Sequence, residues 1–349
     1  MVYGGNTEES GDCPVNDDKV SSGTETLEPL GSVVKQALEQ MRDLGKTQKE
    51  YSGISDFTVN PDHLPEQIQI SEPGQPGVSR PVKNDSCVYT GFIGVDNQLN
   101  GLHPGELIVI GARPAMGKAS FALNIAKYAS MNKGKWVAVF TLEMPQEYIA
   151  MRVLCQEALV NPRHTREKSL TTDEWNRITK AAVKAMATPM YIDDTPGITP
   201  GQIRSRSLLL MKEKSLDLIV VDYLGLMQSD GQKNTREIIS RLKAIALELN
   251  VPVVVTSQLK RADRNRPDKR PVLSDLPDPE FIEKNADVIM LLYREGYYNC
   301  FAEEKNITEV IIARQHNKPL ETVELYWLDK YLLFANISRE RQEEKEKWE

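Results

Sequence analysis

The sequence is poor in the side chains that crosslink small proteins or bind zinc. Its 349 residues include only 4 cysteines and 4 histidines. The cysteines are far apart and form no C-x-x-C pair: Cys13, Cys87, Cys155 and Cys300. This spacing argues against a disulfide framework and against a thiolate zinc site. We therefore expect reduced, mostly structural thiols.

Long apolar runs are also missing. No stretch of about 18 apolar residues could span a bilayer, and the first residues lack the basic start and apolar core of a signal peptide. No membrane association is therefore expected, and the cytoplasm is the default location.

Basic residues are fewer than acidic ones. The sequence has 43 Lys and Arg residues and 50 Asp and Glu residues, which gives a net charge of −7. This balance argues against a surface that binds nucleic acid everywhere, but it leaves room for a locally basic channel. The hydrophobic content of 40% is enough for a substantial core.

Composition divides the chain into five parts. Residues 1–28 have few large apolar side chains and predict a disordered tail. Residues 29–48 carry apolar residues at helical spacing and predict an amphipathic linker helix, whose stripe needs a partner surface. The proline-rich residues 49–88 predict a linker or an insertion, residues 89–337 the main domain, and residues 338–349 a charged tail.

Apolar strands alternate with amphipathic helices through the main domain, which is typical of a parallel α/β sheet. Helices are expected at 173–186 and 235–249, among others, and a final hairpin at 322–327 and 331–337. The other strand candidates are 107–110, 136–142, 218–222, 251–256, 288–292 and 309–313.

A phosphate-binding loop is predicted between the strand at 107–110 and a helix at 120–126. The loop would bring backbone N–H groups and a lysine to an anionic phosphate. An ordinary glycine turn is the alternative, since the first position of the usual pattern is Ala112 rather than glycine. The candidate nucleotide-binding residues are Arg113, Pro114, Ala115, Met116, Gly117, Lys118, Ala119 and Ser120.

Three further strands end in polar residues. Asp222 ends an apolar strand and predicts a magnesium-holding carboxylate, with a turn-capping role as the alternative. Glu143 follows another strand, where a glutamate can polarise an attacking water. Gln258 follows a third and could sense a γ-phosphate, although Glu143 and Gln258 are each weak signals alone.

In combination and order, these segments resemble the C-terminal ATPase domain of the DnaB family of hexameric replicative DNA helicases. The resemblance implies an α/β, RecA-like P-loop ATPase fold with a mostly parallel sheet flanked by helices. The matching segments are TGFIGVD (90–96), ARP (112–114), LEMP (142–145), YIDDTPG (191–197), 217–227, 248–259 and ADVIM (286–290). The helical N-terminal domain of the family is not recognised in the sequence.

The resemblance also implies roles and partners. Lys118 matches the phosphate lysine, Glu143 the catalytic base, Asp222 the metal-side aspartate and Gln258 the γ-phosphate sensor, with ATP and Mg²⁺ as cofactors. Copies would form a hexameric ring around single-stranded DNA, and the linker helix would dock on the adjacent subunit.

Three departures from the family pattern fall at functional positions. Ala119 replaces the Ser or Thr hydroxyl that binds Mg²⁺, and Ser120 is one residue too late. His316 replaces the arginine finger, which contributes roughly 10³–10⁵ in rate, with Arg314 and Lys318 as nearby cations. The DNA-facing loop is replaced by LPDPE (276–280), whose prolines and carboxylates disfavour phosphate contact.

The basic run from Lys260 to Arg270 could still follow a DNA backbone, or could simply be solvated. Two functions remain open. One is a nucleotide-binding family member with impaired hydrolysis and DNA contact, acting in or on replication by docking on a replicative helicase. The other is an active ATP-dependent hexameric helicase that translocates on single-stranded DNA.

Overall fold

The computed structural model describes residues 27–46, 87–228, 234–261, 266–299, 301–302, 304–315 and 319–337. The expected tails, the proline-rich linker and the residues Arg264, His316 and Lys318 lie outside these ranges, apart from the ends of the tail and linker at 27–28 and 87–88. Across the described ranges, no helix combines the length and the apolar character needed to cross a bilayer.

Ten strands and ten α-helices make up the described domain. The strands are β1 (Glu28–Pro29), β2 (Leu107–Ala112), β3 (Val137–Thr141), β4 (Met190–Asp193), β5 (Leu218–Asp222), β6 (Val253–Gln258), β7 (Val288–Tyr293), β8 (Ile307–Arg314), β9 (Thr322–Leu328) and β10 (Leu333–Asn336). The helices are α1 (Leu30–Lys46), α2 (Ile93–Leu99), α3 (Lys118–Lys127), α4 (Gln146–Ala158), α5 (Pro162–Glu167), α6 (Thr172–Met186), α7 (Pro200–Glu213), α8 (Thr235–Leu249), α9 (Pro279–Asn285) and α10 (Glu295–Tyr298).

All ten strands belong to one sheet, in the order β1-β4-β3-β5-β6-β2-β7-β8-β9-β10. The six strands from β4 to β7 in this order are parallel, whereas β1 and the last three are antiparallel to their neighbours. This arrangement confirms the expected α/β fold with a mostly parallel sheet.

The parallel strands are buried on both faces, which is why they read as continuous apolar runs. Along β2, Ile108 and Ile110 belong to the core on one face, and Leu107 and Val109 belong to the core on the other. The carboxyl ends of the parallel strands therefore form a single edge, where ligands of open α/β sheets bind.

Helix α1 packs its apolar residues within this chain, and its docking on an adjacent subunit stays a prediction. Leu30, Val33 and Val34 are fully buried, and the helix packs on α4 and α6 of the same chain. In a single chain the stripe is buried on the apolar groove within its own reach, because burial of apolar area is favourable whichever chain supplies the surface.

Two contacts involve residues outside the expected main domain at 89–337. Glu28, expected in the tail, pairs with Ile192 in the strand ladder, so β1 extends the sheet beyond β4. Val88, in the segment expected as a linker or insertion, pairs with Leu102. Strand β4 is a further strand, beyond the candidates predicted from the sequence.

Candidate nucleotide-binding site

The loop between β2 and α3 has the geometry of a phosphate cradle. Strand β2 is buried along its whole length, and α3 begins at Lys118, directly after the loop. Gly117 caps the helix with φ 91°, a left-handed conformation that favours glycine. The free N–H groups of this helix end provide an anion site.

Gly117 also lies against an aromatic floor. A Cβ at this position would lie 2.8 Å from Cζ of Phe334 and 3.4 Å from the Trp327 ring. Phe334 packs edge-on against Phe121 of α3, with ring centroids 5.4 Å apart. The hairpin β9–β10 therefore packs against the phosphate loop at Gly117.

Buried amides fasten this hairpin to the helix that follows the loop. Asn124 of α3 accepts a hydrogen bond from the Phe334 amide at 2.9 Å and donates one to Gln156 at 2.9 Å. Gln156 in turn donates to the carbonyl of Leu332 at 2.8 Å. The Asn124 and Gln156 side chains are buried, and satisfied hydrogen bonds of buried amides fix a unique geometry.

Lys118 lies among three groups at the ends of β5 and β6. Its Nζ is 3.1 Å from Oδ1 of Asp222 and 3.3 Å from Oγ1 of Thr256. It also lies 4.1 Å from the centre of the Tyr223 ring, within cation–π range. Thr256 donates its hydroxyl hydrogen to the same Asp222 oxygen.

The second oxygen of Asp222 is the group that fits Mg²⁺. Oδ2 is buried and has no hydrogen-bond partner within the described ranges. Mg²⁺ is usually held by one or two carboxylates, water and substrate phosphates. A single carboxylate beside a phosphate loop agrees with that preference. Among the described residues, no group of three or more His, Cys, Asp or Glu side chains is placed to hold a metal ion without a substrate.

The position after the lysine supplies no hydroxyl to such an ion. Ala119 is the second residue of α3 and is partly exposed. Ser120 follows it, but the residue is only 4% exposed and is turned into the core.

Glu143 and Gln258 lie at the same edge. Glu143 comes two residues after β3 and is exposed, and the amide of its neighbour Leu142 donates to the carbonyl of Asp222 at 2.7 Å. Gln258 is the last residue of β6, is exposed, and pairs in register with Ala112 of β2. The structure thus brings Lys118, Asp222, Glu143 and Gln258 to one end of the sheet.

Arg113, which we predicted to contact nucleotide, directs its side chain elsewhere. Its guanidinium is 6% exposed and forms an ion pair with Asp275, with 2.8 Å between Nη2 and Oδ2. Only its backbone therefore belongs to the phosphate loop.

Arg294 contacts the loop but was missed in the sequence. Its Nη2 donates to the carbonyl of Ala115 at 2.9 Å, and its guanidinium lies 5.3 Å from the Trp327 ring centre. Burial lowers the pKa of this arginine. Arg294 directly follows β7, so the rule that identified Asp222 and Gln258, a polar residue at a strand end, could have found it.

Arg314 lies on β8, outside the group of strands that carries Lys118, Asp222, Glu143 and Gln258. Strand β8 runs antiparallel to β7, so Glu309 pairs with Tyr293 and Arg314 pairs with Ile289. Arg314 therefore lies two strands away from β2, at the level of Ile289 and Val109. Its Nε is buried and has no partner among the residues that the structure covers.

The predicted basic run is largely engaged in internal contacts. Arg266 pairs with Asp275, with 3.0 Å between Nη2 and Oδ2, and Arg270 pairs with Glu309, with 2.6 Å between Nη2 and Oε1. The ion pair with Glu309 raises the pKa of Arg270. Lys260 and Arg261 remain exposed at the start of the run.

Comparisons with known proteins agree with this geometry. Residues 87–336 match the family model described as the DnaB-like helicase C-terminal domain. The replicative DNA helicase DnaB of Geobacillus stearothermophilus is 42% identical over 258 residues, which cover 72% of this chain and 57% of the relative. The replicative DNA helicase DnaC of Bacillus subtilis gives the same identity and coverage.

Two solved structures have a similar fold. One is an isolated ATPase domain with a TM-score of 0.68 at 31% identity, with 72% of this chain and 91% of that domain covered. The other, a DnaB-like replicative helicase studied with its primase interactions, has a TM-score of 0.68 at 26% identity, with 88% and 77% covered. The chain spans little more than half the length of the two sequence relatives. By its domain at 87–336 it belongs to the DnaB-like replicative helicase family, with a RecA-like ATPase fold.

Proposed function

We propose that this chain binds ATP with Mg²⁺ at the site around Lys118, hydrolyses it slowly, and acts in or on DNA replication. One observation carries the proposal. The phosphate loop, Lys118 and the unpaired Asp222 oxygen are assembled as nucleotide binding requires, yet Ala119 offers no hydroxyl at the metal position.

Each side chain at the edge has a distinct task in this proposal. The loop amides and Lys118 would hold the β- and γ-phosphates. Asp222 would hold Mg²⁺ through its free oxygen, and the ion would neutralise charge on the phosphates. Glu143, exposed beside Asp222, would orient and deprotonate the attacking water, and Gln258 would contact the γ-phosphate.

Completion of the site would require another subunit. Arg314 lies on β8, two strands from β2, and in this proposal it would reach the nucleotide of a neighbouring copy or of a related helicase. His316, at the finger position of the family, would be a shorter and usually neutral substitute for arginine. We propose either a hexameric ring of this chain or its association with a replicative helicase ring.

Single-stranded DNA would be held weakly. Arg266 and Arg270 are engaged with Asp275 and Glu309, which leaves Lys260 and Arg261 as exposed cations in the described part of the run. Few free cations mean few phosphate contacts and little counterion release. Asp278, in the segment that replaces the DNA-facing loop of the family, pairs with Arg236 at 3.2 Å.

The alternative is a fully active hexameric helicase. It is favoured by the convergence of Lys118, Glu143, Asp222 and Gln258 at one edge. In this case a water molecule would replace the missing hydroxyl on Mg²⁺.

Steady-state ATP hydrolysis with and without single-stranded DNA separates the two functions. We expect slow turnover with little stimulation by DNA, and higher, stimulated turnover in the variant Ala119→Thr/His316→Arg. Binding of a fluorescent ADP analogue to both proteins checks that the site is intact. Strongly DNA-stimulated turnover by the unmodified chain would establish the active helicase instead, and a failure to bind nucleotide would refute both.

A further inference from the structure

Arg113 holds together parts of the chain that are distant in sequence. Its backbone begins the phosphate loop, but its guanidinium donates to Asp275 at 2.8 Å, to the Lys260 carbonyl at 3.3 Å and to the Lys269 carbonyl. It also donates to the Tyr298 hydroxyl at 3.1 Å. One buried side chain thus contacts both ends of the basic run.

Asp275 is the common acceptor of this cluster. Its carboxylate accepts hydrogen bonds from Arg113 and Arg266, and its backbone carbonyl accepts one from the Lys260 amide at 2.8 Å. A backbone hydrogen bond also links the two regions, because the Leu259 amide donates to the carbonyl of Ala112 at 3.0 Å. The phosphate loop and the basic segment, defined here as Lys260, Arg261 and residues 266–270, therefore share one set of hydrogen bonds.

The shape of the guanidinium explains why an arginine is needed for this linkage. Arginine presents five N–H donors in a fixed plane and can hold several acceptors at once. A lysine ammonium could keep the charge pair with Asp275, but it could not reach the same carbonyls in the same geometry. The side chain is also buried, so its contacts do not depend on a solvated, mobile surface group.

We propose that Arg113 is a positioning residue that couples nucleotide in the phosphate loop to the conformation of the basic segment. This inference rests on the proposed nucleotide binding. A phosphate that draws on the loop amides shifts the Arg113 backbone, and the guanidinium transmits that shift to the Lys260 and Lys269 carbonyls. The coupling is reciprocal, so an anion bound to the segment changes the affinity of the loop for nucleotide.

Hydrogen exchange of the 266–275 amides, with and without ADP and Mg²⁺, tests the coupling. In the unmodified chain we expect ADP to slow exchange by about 5-fold or more, the lower end of common coupling strengths. In Arg113→Lys we expect ADP to leave this exchange unchanged at an ADP concentration that saturates the site, as measured for that variant with a fluorescent ADP analogue. The matched control is Arg266→Ala, which removes the other guanidinium from Asp275 without touching the loop.

The control separates coupling from simple stabilisation. Arg266→Ala is expected to raise exchange in both states while keeping the response to ADP. If Arg113→Lys does not fold, Asp275→Asn replaces it and is expected to lose the response. ADP binding without any change at 266–275 in the unmodified chain, or a full response in Arg113→Lys, overturns the coupling alone. Absence of ADP binding in the unmodified chain overturns the proposed function together with it.

Discussion

The ammonium nitrogen of Lys118 lies 3.1 Å from Oδ1 of Asp222, although 104 residues separate them in the sequence. Their side chains are only 12% and 7% exposed. Each charge therefore depends on the other, because a buried charge without a partner is strongly unfavourable.

Removal of the lysine should reduce stability as well as nucleotide binding. We expect Lys118→Met to lower the free energy of unfolding by about 3 kcal/mol, because it leaves the Asp222 carboxylate buried and unpaired. Urea unfolding measures this loss. The double variant Lys118→Met/Asp222→Asn should recover part of it, and a single variant as stable as the unmodified chain contradicts the role of the pair.

A hydroxyl at position 119 should strengthen the use of Mg²⁺. We expect Ala119→Thr to raise Mg²⁺-dependent ATP turnover about 10-fold, by analogy with the 10–100-fold effects of changes around metal ligands. Ala119→Val is the matched control, since valine has nearly the shape of threonine and lacks the oxygen. Equal turnover in the two variants would exclude a hydroxyl effect.

The contact between Gly117 and Phe334 predicts that an alanine destabilises the protein more at position 117 than at position 134. Both glycines have positive φ, 91° and 63°, but a Cβ on Gly134 has nothing within 4 Å. Alanine in this region costs about 1–2 kcal/mol from backbone strain, so Gly134→Ala measures that cost. Gly117→Ala should lose roughly 1–3 kcal/mol more through the clash with Phe334 and should bind nucleotide poorly, whereas equal thermal midpoints would contradict the contact.

Asp275 predicts a defined dependence of stability on acid. Burial acts to raise its pKa, but the hydrogen bonds and charge of Arg266, with the charge of Arg113, bring the pKa below the ordinary 3.8. A carboxyl group whose pKa is lower in the folded than in the unfolded protein stabilises the fold at any pH above its unfolded pKa. That stabilisation is lost as the pH falls through its folded pKa. Asp275→Asn should therefore be destabilised at neutral pH and should lose less on acidification below 3.8. Urea unfolding across this pH range measures it, and parallel pH curves for the two proteins would argue against the cluster.

The sequence predicts the parallel strands and the edge where their polar ends meet. Apolar runs such as those ending at Asp222 and Gln258 are long and bounded by polar residues, so their class and direction follow from the α/β alternation. Strand β8 is different, because an antiparallel strand after several parallel ones looks the same in sequence. The pairing of Arg314 with Ile289 depends on that direction and does not follow from the sequence pattern.

Side-chain partners were harder still to predict. Arg113 stands inside the phosphate-loop motif, yet its ion-pair partner Asp275 is 162 residues away. Arg266 and Arg270 would form a basic surface only if no carboxylate lay close to them in the fold. The spacing of residues in the sequence does not show which carboxylates lie close. For α1 the apolar stripe predicts burial, but the choice of surface depends on which groove is within reach.

The contacts among Gly117, Asn124 and Phe334 also bear on how the domain is made. The phosphate loop is synthesised early in the domain, whereas Leu332 and Phe334 are synthesised near its end. Phe334, whose amide donates to Asn124, comes 210 residues after it. Until the last hairpin leaves the ribosome, the loop has no floor and the buried amides of Asn124 and Gln156 lack their backbone partners. A nascent chain would therefore acquire its nucleotide site only when translation of the domain is complete.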